Sequence, residues 1–459
     1  MFRSKRVVGA GWSLSLAVAV GLTLWPQLVV PSVRQVAVVL YPDGVSLVQE
    51  RWPAEVNRGL NLIEIPDLPS TIIESSPHVR VAAEGGKVRI LELELLRTVR
   101  SREELLSGLV GKTVDLVTDR GSVSGTLQAV VGSDFLLERG GGGLVLVAGQ
   151  TVREAVLPSG TTVRARPILR LTVESDSQGE VDLDLTYQTT GLGWQARYSA
   201  VLEESGTQLQ LGAWATIQNG SGRSFERAKV VLVSGLVHRA REAPPGPLFR
   251  EAATTLAAVS EYPQEEPLFE YYEYELGRLL SLEDGQAKHV PLLADGTVRC
   301  NKRYVYEGLR DRNRVRTEIV FVNEKPSGLG RALPAGTVRI FQKTRQGMRL
   351  LGEDRIPTVP VGKEVSITTG YAFDLEGKRT LVETRQISPE AREETYAIDI
   401  KNSKHELVRV EVLEHLPGDW EIRRSSHPFR KKSATDVQFV VDVPADGQAT
   451  IQYTAVIHY

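Results

Sequence analysis

The chain has 459 residues, too many for one compact hydrophobic core, so two to four domains are expected. Its net charge of −2 at pH 7 excludes a general electrostatic attraction to nucleic acid, and no dense basic run supplies a local one. Its single cysteine, Cys300, excludes an intrachain disulfide and every multi-cysteine metal site.

The first 32 residues predict export. The opening "MFRSKR" carries three positive charges, and residues 7–24 that follow carry no charge at all. No A-x-A-like cleavage site stands out, and the apolar stretch approaches the length of a membrane span. We therefore expect residues 1–32 to be either a signal peptide or an N-terminal anchor in the inner membrane. The chain is expected in the periplasm or at the cell surface, with membrane contact only through this segment.

Residues 33–98 predict a small N-terminal β domain. Apolar residues alternate on both sides of the Pro42-Asp43-Gly44 turn, which is a hairpin signal. The alternation continues to residue 98. Ser101 and Glu104 then form a capping box, which predicts a short connecting helix.

Residues 107–160 predict a small closed barrel of the SH3-like or Sm-like type. Short strand-like runs alternate with glycine turns, including a run of four glycines at 140–143. Several short, strongly bent strands in so few residues are typical of such barrels.

The rest of the chain predicts a large β-sandwich built from 161–237 and 268–459. The intervening residues 238–267 are rich in proline, alanine and charge and lack a strand period, so we interpret them as an exposed excursion. The predicted fold class is all-β and multi-domain: a large sandwich preceded by a small β unit and an inserted small barrel.

The stretch "YQTTGLGWQARY" predicts a packing corner. Apolar residues alternate before Gly191 and again after Gly193, where Trp194 and Tyr198 share one face. Glycine at the junction of two strands permits a positive φ or a bulge, which lets the chain turn Trp194 inward.

The same residues resemble a known family. "LTYQTTGLGWQARYSAVL" and "ATIQNGSGRSFERAKVVLVSG" are similar to the defining region of a bacterial exported family built on a conserved domain of unknown function, which includes the mucoidy-inhibitor A-like proteins. The resemblance covers most of 168–459. It implies an exported, all-β, sandwich-like protein without an established enzymatic activity. Phe225 stands where the family usually has tryptophan, and the small barrel stands where many relatives carry a coiled coil.

No sequence pattern predicts catalysis, a cofactor or a metal site. "GLVGKT" is not a phosphate loop, because Leu106 stands where the first glycine is required. His405 and His415 flank one strand and would lie roughly 33 Å apart if it runs straight. No G-x-S-x-G elbow occurs, and Cys300 is expected to be a small buried residue.

The most suggestive surface feature is an aromatic strip among acidic residues, comprising Tyr262, Phe269, Tyr271, Tyr272 and Tyr274. On one strand, Tyr272 and Tyr274 would face one way and Phe269 and Tyr271 the other. One set is expected in the core. The other set could be a stacking platform for sugar rings or a docking strip for a partner strand, unless both sets pack inside the sandwich.

These observations favour an exported, non-catalytic envelope protein that binds or scaffolds other proteins or surface glycans. The alternative is an envelope hydrolase or surface-polymer-processing enzyme whose site forms only in three dimensions. The first hypothesis requires an exposed aromatic or apolar patch, and the second requires titratable groups that converge in a pocket.

Overall fold

The computed structural model describes residues 28–29, 33, 35–82, 88–98, 102–159, 166–235, 264–268 and 271–458. Nearly all regular structure in them is β-strand, which confirms the all-β, multi-domain class. The N-terminal strands are β1 (Leu28–Val29), β2 (Gln35–Leu40), β3 (Val45–Val56), β4 (Gly59–Ile65), β5 (His78–Ala82) and β6 (Val88–Leu96).

A short helix and a separate group of strands follow. They are α1 (Arg102–Ser107), β7 (Thr113–Thr118), β8 (Gly121–Val131), β9 (Asp134–Glu138), β10 (Leu144–Val147), a 3₁₀ turn (Gly149–Thr151) and β11 (Val152–Val156). The middle of the chain contains β12 (Ile168–Ser175), β13 (Gly179–Thr190), β14 (Leu192–Leu202), β15 (Gln208–Asn219), β16 (Phe225–Ser234), β17 (Gln264–Leu268), β18 (Tyr271–Glu275) and β19 (Leu280–Leu282).

The C-terminal part of the chain completes the fold. Its elements are β20 (Gln286–Arg299), β21 (Asn301–Tyr306), α2 (Gly308–Asp311), β22 (Arg314–Val322), a 3₁₀ turn (Lys325–Ser327), β23 (Gly336–Thr344), β24 (Gly347–Ile356), β25 (Glu364–Ser388), β26 (Ala391–Asn402), β27 (Val408–His415), β28 (Asp419–Ser425), β29 (Phe429–Lys431), β30 (Asp436–Val443) and β31 (Gly447–His458).

The strands form five sheets. Sheet 1 has the order β1-β4-β12-β6, and sheet 2 has the order β17-β18-β16-β2-β3-β13-β5, with β19 also on β16. Sheet 3 is β10-β9-β8-β7-β11, sheet 4 is β20-β15-β14-β23-β24, and sheet 5 is β28-β31-β26-β25-β22-β21-β27-β30-β29. The buried faces alternate along each strand, as in β13, because successive side chains point to opposite faces.

The first hydrophobic core lies between sheets 1, 2 and 4. It joins residues from Val38 in β2 to Ile367 in β25, so the N-terminal strands do not form a unit of their own. β3 pairs along its whole length with β13, and β2 pairs in parallel with β16. The expected N-terminal β domain over 33–98 therefore shares one core with strands from later in the chain.

The expected single sandwich over 161–237 and 268–459 divides into two cores. The second core lies within sheet 5, where the two ends of the sheet face each other, as in the stacked rings of Phe439 on β30 and Tyr453 on β31. β22 and β25 belong to both cores, since Ile319 and Ile367 pack in the first while Val315 and Leu375 pack in the second.

The third core belongs to sheet 3, which differs from the expected closed barrel. Its strands form a five-stranded antiparallel sheet around Leu116, Leu127 and Phe135. Within residues 102–159, all of which the structure describes, no ladder joins β10 to β11. The 3₁₀ turn connects these two short strands, but their backbones do not pair with each other.

Three predictions fall partly or wholly outside the described residues. Of the expected signal or anchor segment 1–32, only β1 is described, and it pairs in parallel with β4. Of the expected excursion 238–267, residues 264–267 instead belong to β17, which pairs with β18. Ser101 of the expected helix cap lies outside the described residues. No helix among the described residues has the length and apolar character needed to cross a membrane.

Candidate functional site

The glycine corner at Gly191 places Trp194 in the first core. Gly191 has φ of 75°, and a Cβ there would lie 2.6 Å from the Gly220 carbonyl oxygen. Gly193 is also closely packed, because a Cβ there would lie 3.1 Å from Gly44 Cα. The Trp194 side chain is 3% exposed, and its indole N–H donates a hydrogen bond of 3.0 Å to the Val233 carbonyl. The corner is a packing device without room for a ligand.

Tyr198 and Tyr274 complete the same buried region. The Tyr198 hydroxyl donates to the Pro334 carbonyl at 2.7 Å, and the Tyr274 hydroxyl donates to the Ala332 carbonyl at 3.0 Å. The Trp194 and Tyr274 rings meet edge to face, with centroids 6.3 Å apart. Burial raises the pKa of Tyr198 well above its usual value, so the phenol stays neutral.

The aromatic strip does not form a continuous surface in the described residues. Tyr274 is buried and Tyr272 packs against the first core, so this set is internal. Tyr271 is half-buried and lies against Gly235. Tyr262 and Phe269 lie outside the described residues.

A buried ion pair links β3 and β13 to the connection between β15 and β16. Arg223 Nη2 lies 2.7 Å from Glu50 Oε1, and Arg223 Nη1 donates to the Tyr187 hydroxyl at 2.9 Å. The Trp52 indole N–H donates to the second oxygen of Glu50. Burial alone lowers the pKa of Arg223, but the interactions with Tyr187 and Glu50 outweigh it and raise the pKa. Since the side chains of Glu50 and Arg223 are closed off from solvent, this cluster is structural.

A second buried charged cluster lies in sheet 5. Arg379 Nε donates to Glu414 at 2.8 Å, and its guanidinium stacks over the Tyr396 ring at 3.8 Å. The Tyr453 hydroxyl donates to the same oxygen of Glu414 at 2.5 Å. Burial, assisted by the charge of Glu414, raises the pKa of the neighbouring Tyr306 to about 12. This cluster holds β25, β27 and β31 together across the second core.

Where sheets 4 and 5 meet, a polar cleft of about 640 Å³ opens to solvent. Its lining includes Glu204, Lys302, Gln342 and Tyr371. Cys300 lies next to it in sequence but is buried, and burial raises the pKa of its thiol, which keeps the thiol protonated. The cleft therefore offers hydrogen-bonding groups and no activated nucleophile among the residues that line it.

His405, which precedes β27, and His415, which ends β27, each lie beside a different carboxylate. His405 Nδ1 lies 2.8 Å from Asp446, and His415 Nδ1 lies 2.9 Å from Asp436. Both pairs are exposed, and hydrogen bonding to Asp446 raises the pKa of His405. Among the described residues, no group of three or more His, Cys, Asp or Glu side chains is arranged to hold a metal ion.

The outer face of sheet 4 carries an exposed tryptophan. Trp214 on β15 is 46% exposed, although its neighbours Ala213 and Ala215 are buried on the opposite face. In the sheet it lies opposite Arg197 of β14 on one side and Pro291 of β20 on the other. The indole thus lies on the outer face of β15, the second strand of sheet 4, in contact with solvent.

Polar side chains surround this indole. We call the following set the tryptophan face: Gln195, Arg197, Trp214, Thr216, Gln218 and His289. The hydroxyl of Thr216, which is buried two residues after Trp214, lies 2.9 Å from Nδ1 of the exposed His289. Asp295 lies over Gly212, where a Cβ would collide with its carboxylate, and this places an acceptor on the same face. The face therefore combines one large apolar ring with donors and acceptors around it.

The alternation of residues along β15 contains a signal for this face, although no sequence motif does. Leu209, Leu211, Ala213, Ala215 and Ile217 form the buried set of β15. Trp214 has the opposite parity, so the alternation that predicts the strand also predicts an outward tryptophan. An exposed tryptophan is unusual enough to count as a candidate binding residue.

Comparison with known proteins gives one match. The family model of a domain of unknown function, DUF4139, matches residues 183–459. The match begins inside β13 and includes the whole tryptophan face, whereas β2, β3 and sheet 3 lie outside it. No curated protein matches the chain. Since the matched region is more than half of the chain, the protein belongs to the family defined by this domain, DUF4139.

Proposed function

We propose that the protein is an exported, non-catalytic envelope protein that binds surface glycans through the tryptophan face. The exposed indole of Trp214 among the polar side chains of the tryptophan face carries this proposal. An aromatic ring has a negative face, on which the C–H groups of a sugar ring stack, while amides, guanidinium and carboxylate bond the hydroxyls around it.

Export is supported by the charged and apolar pattern of residues 1–24. The resemblance to the mucoidy-inhibitor A-like proteins supports the same compartment, the periplasm or the cell surface. A scaffolding role toward envelope proteins is the second binding hypothesis, since a tryptophan with a neighbouring arginine is also a common anchor of protein interfaces.

The experiment measures binding of the full chain to three polysaccharide probes: a neutral glucan, a chitin oligosaccharide and a polyuronate. We expect at least one probe to bind, and Trp214→Ala to abolish that binding while Trp214→Phe retains part of it. Because Trp214 is outside the core, the melting temperature of both variants should stay close to that of the wild type.

Phe373→Ala is the matched control, since Phe373 is a 98% exposed aromatic residue on sheet 5, away from the tryptophan face. Its binding should equal that of the wild type. If no probe binds, or if Trp214→Ala binds as well as the wild type, the glycan proposal is wrong. Recovery of an envelope protein by crosslinking at the same face would then favour the scaffolding role.

A further inference from the structure

The C-terminal half of β25 has a free edge. β25 pairs with β22 only up to Glu376, and α2 and its flanking residues approach it at Gly377 and Arg379. From Thr380 to Ser388 it pairs with β26 on one side. Among the described residues, no strand pairs with the other side of this segment. A row of backbone N–H and C=O groups therefore faces solvent along it.

This edge segment, Thr380–Ser388, is exposed on both faces of the sheet. Its apolar side chains Leu381, Val382 and Ile387 are each close to half exposed. Folded proteins usually protect a free edge with proline, charged side chains such as lysine, β-bulges or a covering loop. The segment "TLVETRQIS" contains neither proline nor lysine. An edge of this kind is suited to pairing with another strand.

The sequence of the edge segment is complementary to itself. When two copies run antiparallel about a two-fold axis through Thr384, Glu383 of each lies opposite Arg385 of the other. Leu381 then lies opposite Ile387, and Val382 opposite Gln386. Opposite charges and paired apolar residues at facing positions stabilise an antiparallel ladder. Since one axis generates both sets of pairs, the contact closes as a dimer.

We propose that a second copy of this chain binds at the edge segment and continues sheet 5 across a two-fold axis at Thr384. One strand pair of nine residues is about 30 Å long at ~3.4 Å per residue. Such a contact is at the small end of specific interfaces, so the dimer is expected to form at micromolar concentration rather than to be permanent.

Two β-bulges interrupt the ladder that the edge segment forms with β26. They lie between Leu381 and Glu383 and between Gln386 and Ser388 on the ladder with β26. The residues between them, Glu383 to Gln386, keep a regular register with β26. The charged pairs that we propose lie in this regular part. Within the chain, Arg385 is already oriented by an ion pair of 3.3 Å with Glu393, which holds its side chain across the sheet.

The first test places a cysteine on the proposed axis. Two residues facing each other in an antiparallel ladder have Cα atoms about 4.5–5.5 Å apart, which is within the range of a disulfide. We expect Thr384→Cys in the full chain, kept in detergent, to form a disulfide-linked dimer under mild oxidation. Native Cys300 is buried and should not react. Gln346→Cys, in an exposed turn between β23 and β24, is the matched control and should stay monomeric.

The second test uses charge reversal, measured as the dimer dissociation constant in analytical ultracentrifugation. Glu383→Arg alone or Arg385→Glu alone places like charges at both facing pairs, which should weaken the dimer about tenfold or more. An equimolar mixture of the two variants restores opposite charges and should dimerise, as should the double variant Glu383→Arg/Arg385→Glu. The melting temperature of each variant serves as the control for folding.

Three results would overturn the proposal. The wild-type chain could remain monomeric throughout the micromolar range. Thr384→Cys and Gln346→Cys could crosslink to the same extent. The charge variants could dimerise as the wild type does, in which case the dimer forms elsewhere. None of these results depends on glycan binding, so this proposal and the proposed function fail separately.

Discussion

At the level of single residues, the pair of Arg223 and Glu50 links β3 and β13 to the connection between β15 and β16. Removing a charged group from water costs several kcal/mol, and this cost is offset only while the partner and its hydrogen bonds are present. Both side chains are almost fully buried, and Tyr187 and Trp52 each add one hydrogen bond to the pair. The cluster is therefore sensitive to the loss of either partner.

We predict that Arg223→Met lowers the free energy of unfolding by about 3–5 kcal/mol, because Glu50 is left as an uncompensated buried charge. The double variant Glu50→Gln/Arg223→Met should recover much of this loss. Urea denaturation, followed by tryptophan fluorescence, measures both. Arg153→Met removes an exposed pair with Asp119 and should change stability very little. A loss from Arg223→Met as small as that of the control would contradict a structural role for the cluster.

Which residues pair in this cluster could not be predicted from the sequence. Arg223 lies between β15 and β16, whereas Glu50 lies in β3 opposite Leu185 of β13, far away in the sequence. The outward position of Trp214, in contrast, follows from alternation within β15 alone. The alternation along one strand thus indicated the candidate binding residue. The positions of the buried charges, in contrast, depend on long-range strand pairing.

At the level of elements, the β13–β14 corner depends on glycine for two separate reasons. Gly191 has a positive φ, and the Gly220 carbonyl occupies the space that a side chain would need. Gly206 also has a positive φ, of 71°, but has no atom within 4 Å of an added Cβ. The two positions therefore separate backbone strain from steric collision.

We predict that Gly191→Ala destabilises the protein clearly more than Gly206→Ala. The control should cost on the order of 1 kcal/mol for the left-handed conformation, and the corner variant should cost a further ~1–3 kcal/mol because backbone must shift. Thermal unfolding monitored by near-UV circular dichroism, which reports the packing of Trp194, measures both. Equal melting temperatures would show that the corner yields without strain.

The sequence predicted this corner, because glycines between two alternating runs imply a bend. It did not predict which of the two sets of the aromatic strip would be buried. β18 lies between β16 and β17, so Tyr274 and Tyr272 face the first core. Sheet 3 also differs from the expected closed barrel. Alternation predicts strands, but it does not determine whether the first and last strands of a sheet pair with each other.

At the level of the whole molecule, sheet 3 is inserted between two neighbouring strands. β6 and β12 are antiparallel partners in sheet 1, with Leu96 opposite Ile168. α1 and β7–β11 lie between them in the chain and have a core of their own. Removing the insertion should leave a hairpin that a short turn can close.

We predict that replacing residues 99–165 by a four-residue Asn-Gly turn leaves the other two cores folded, because no strand of sheet 3 belongs to another sheet. The melting temperature should fall by only a few degrees, and the near-UV signal of Trp194 should remain. A matched deletion of β2 and β3, which are central strands of sheet 2, should abolish folding. An insoluble product from the first deletion would contradict the independence of sheet 3.

The insertion was predictable from turn signals, but the boundaries of the main domains were not. β2 pairs in parallel with β16, and no local pattern in residues 33–98 indicates that partner. The division into two cores could not be predicted either. β22 and β25 have the periodicity of ordinary strands, although they contribute residues to both cores.

The contribution of β22 and β25 to both cores affects how the protein would bind a repetitive polymer. A hinge between the cores would break the β22–β25 ladder, so the tryptophan face and the edge segment keep a constant separation. If both proposals hold, a dimer presents two sugar-binding faces on a stiff frame. The second engagement on one chain of sugars then occurs at a high effective concentration, and modest affinity at each indole becomes strong avidity.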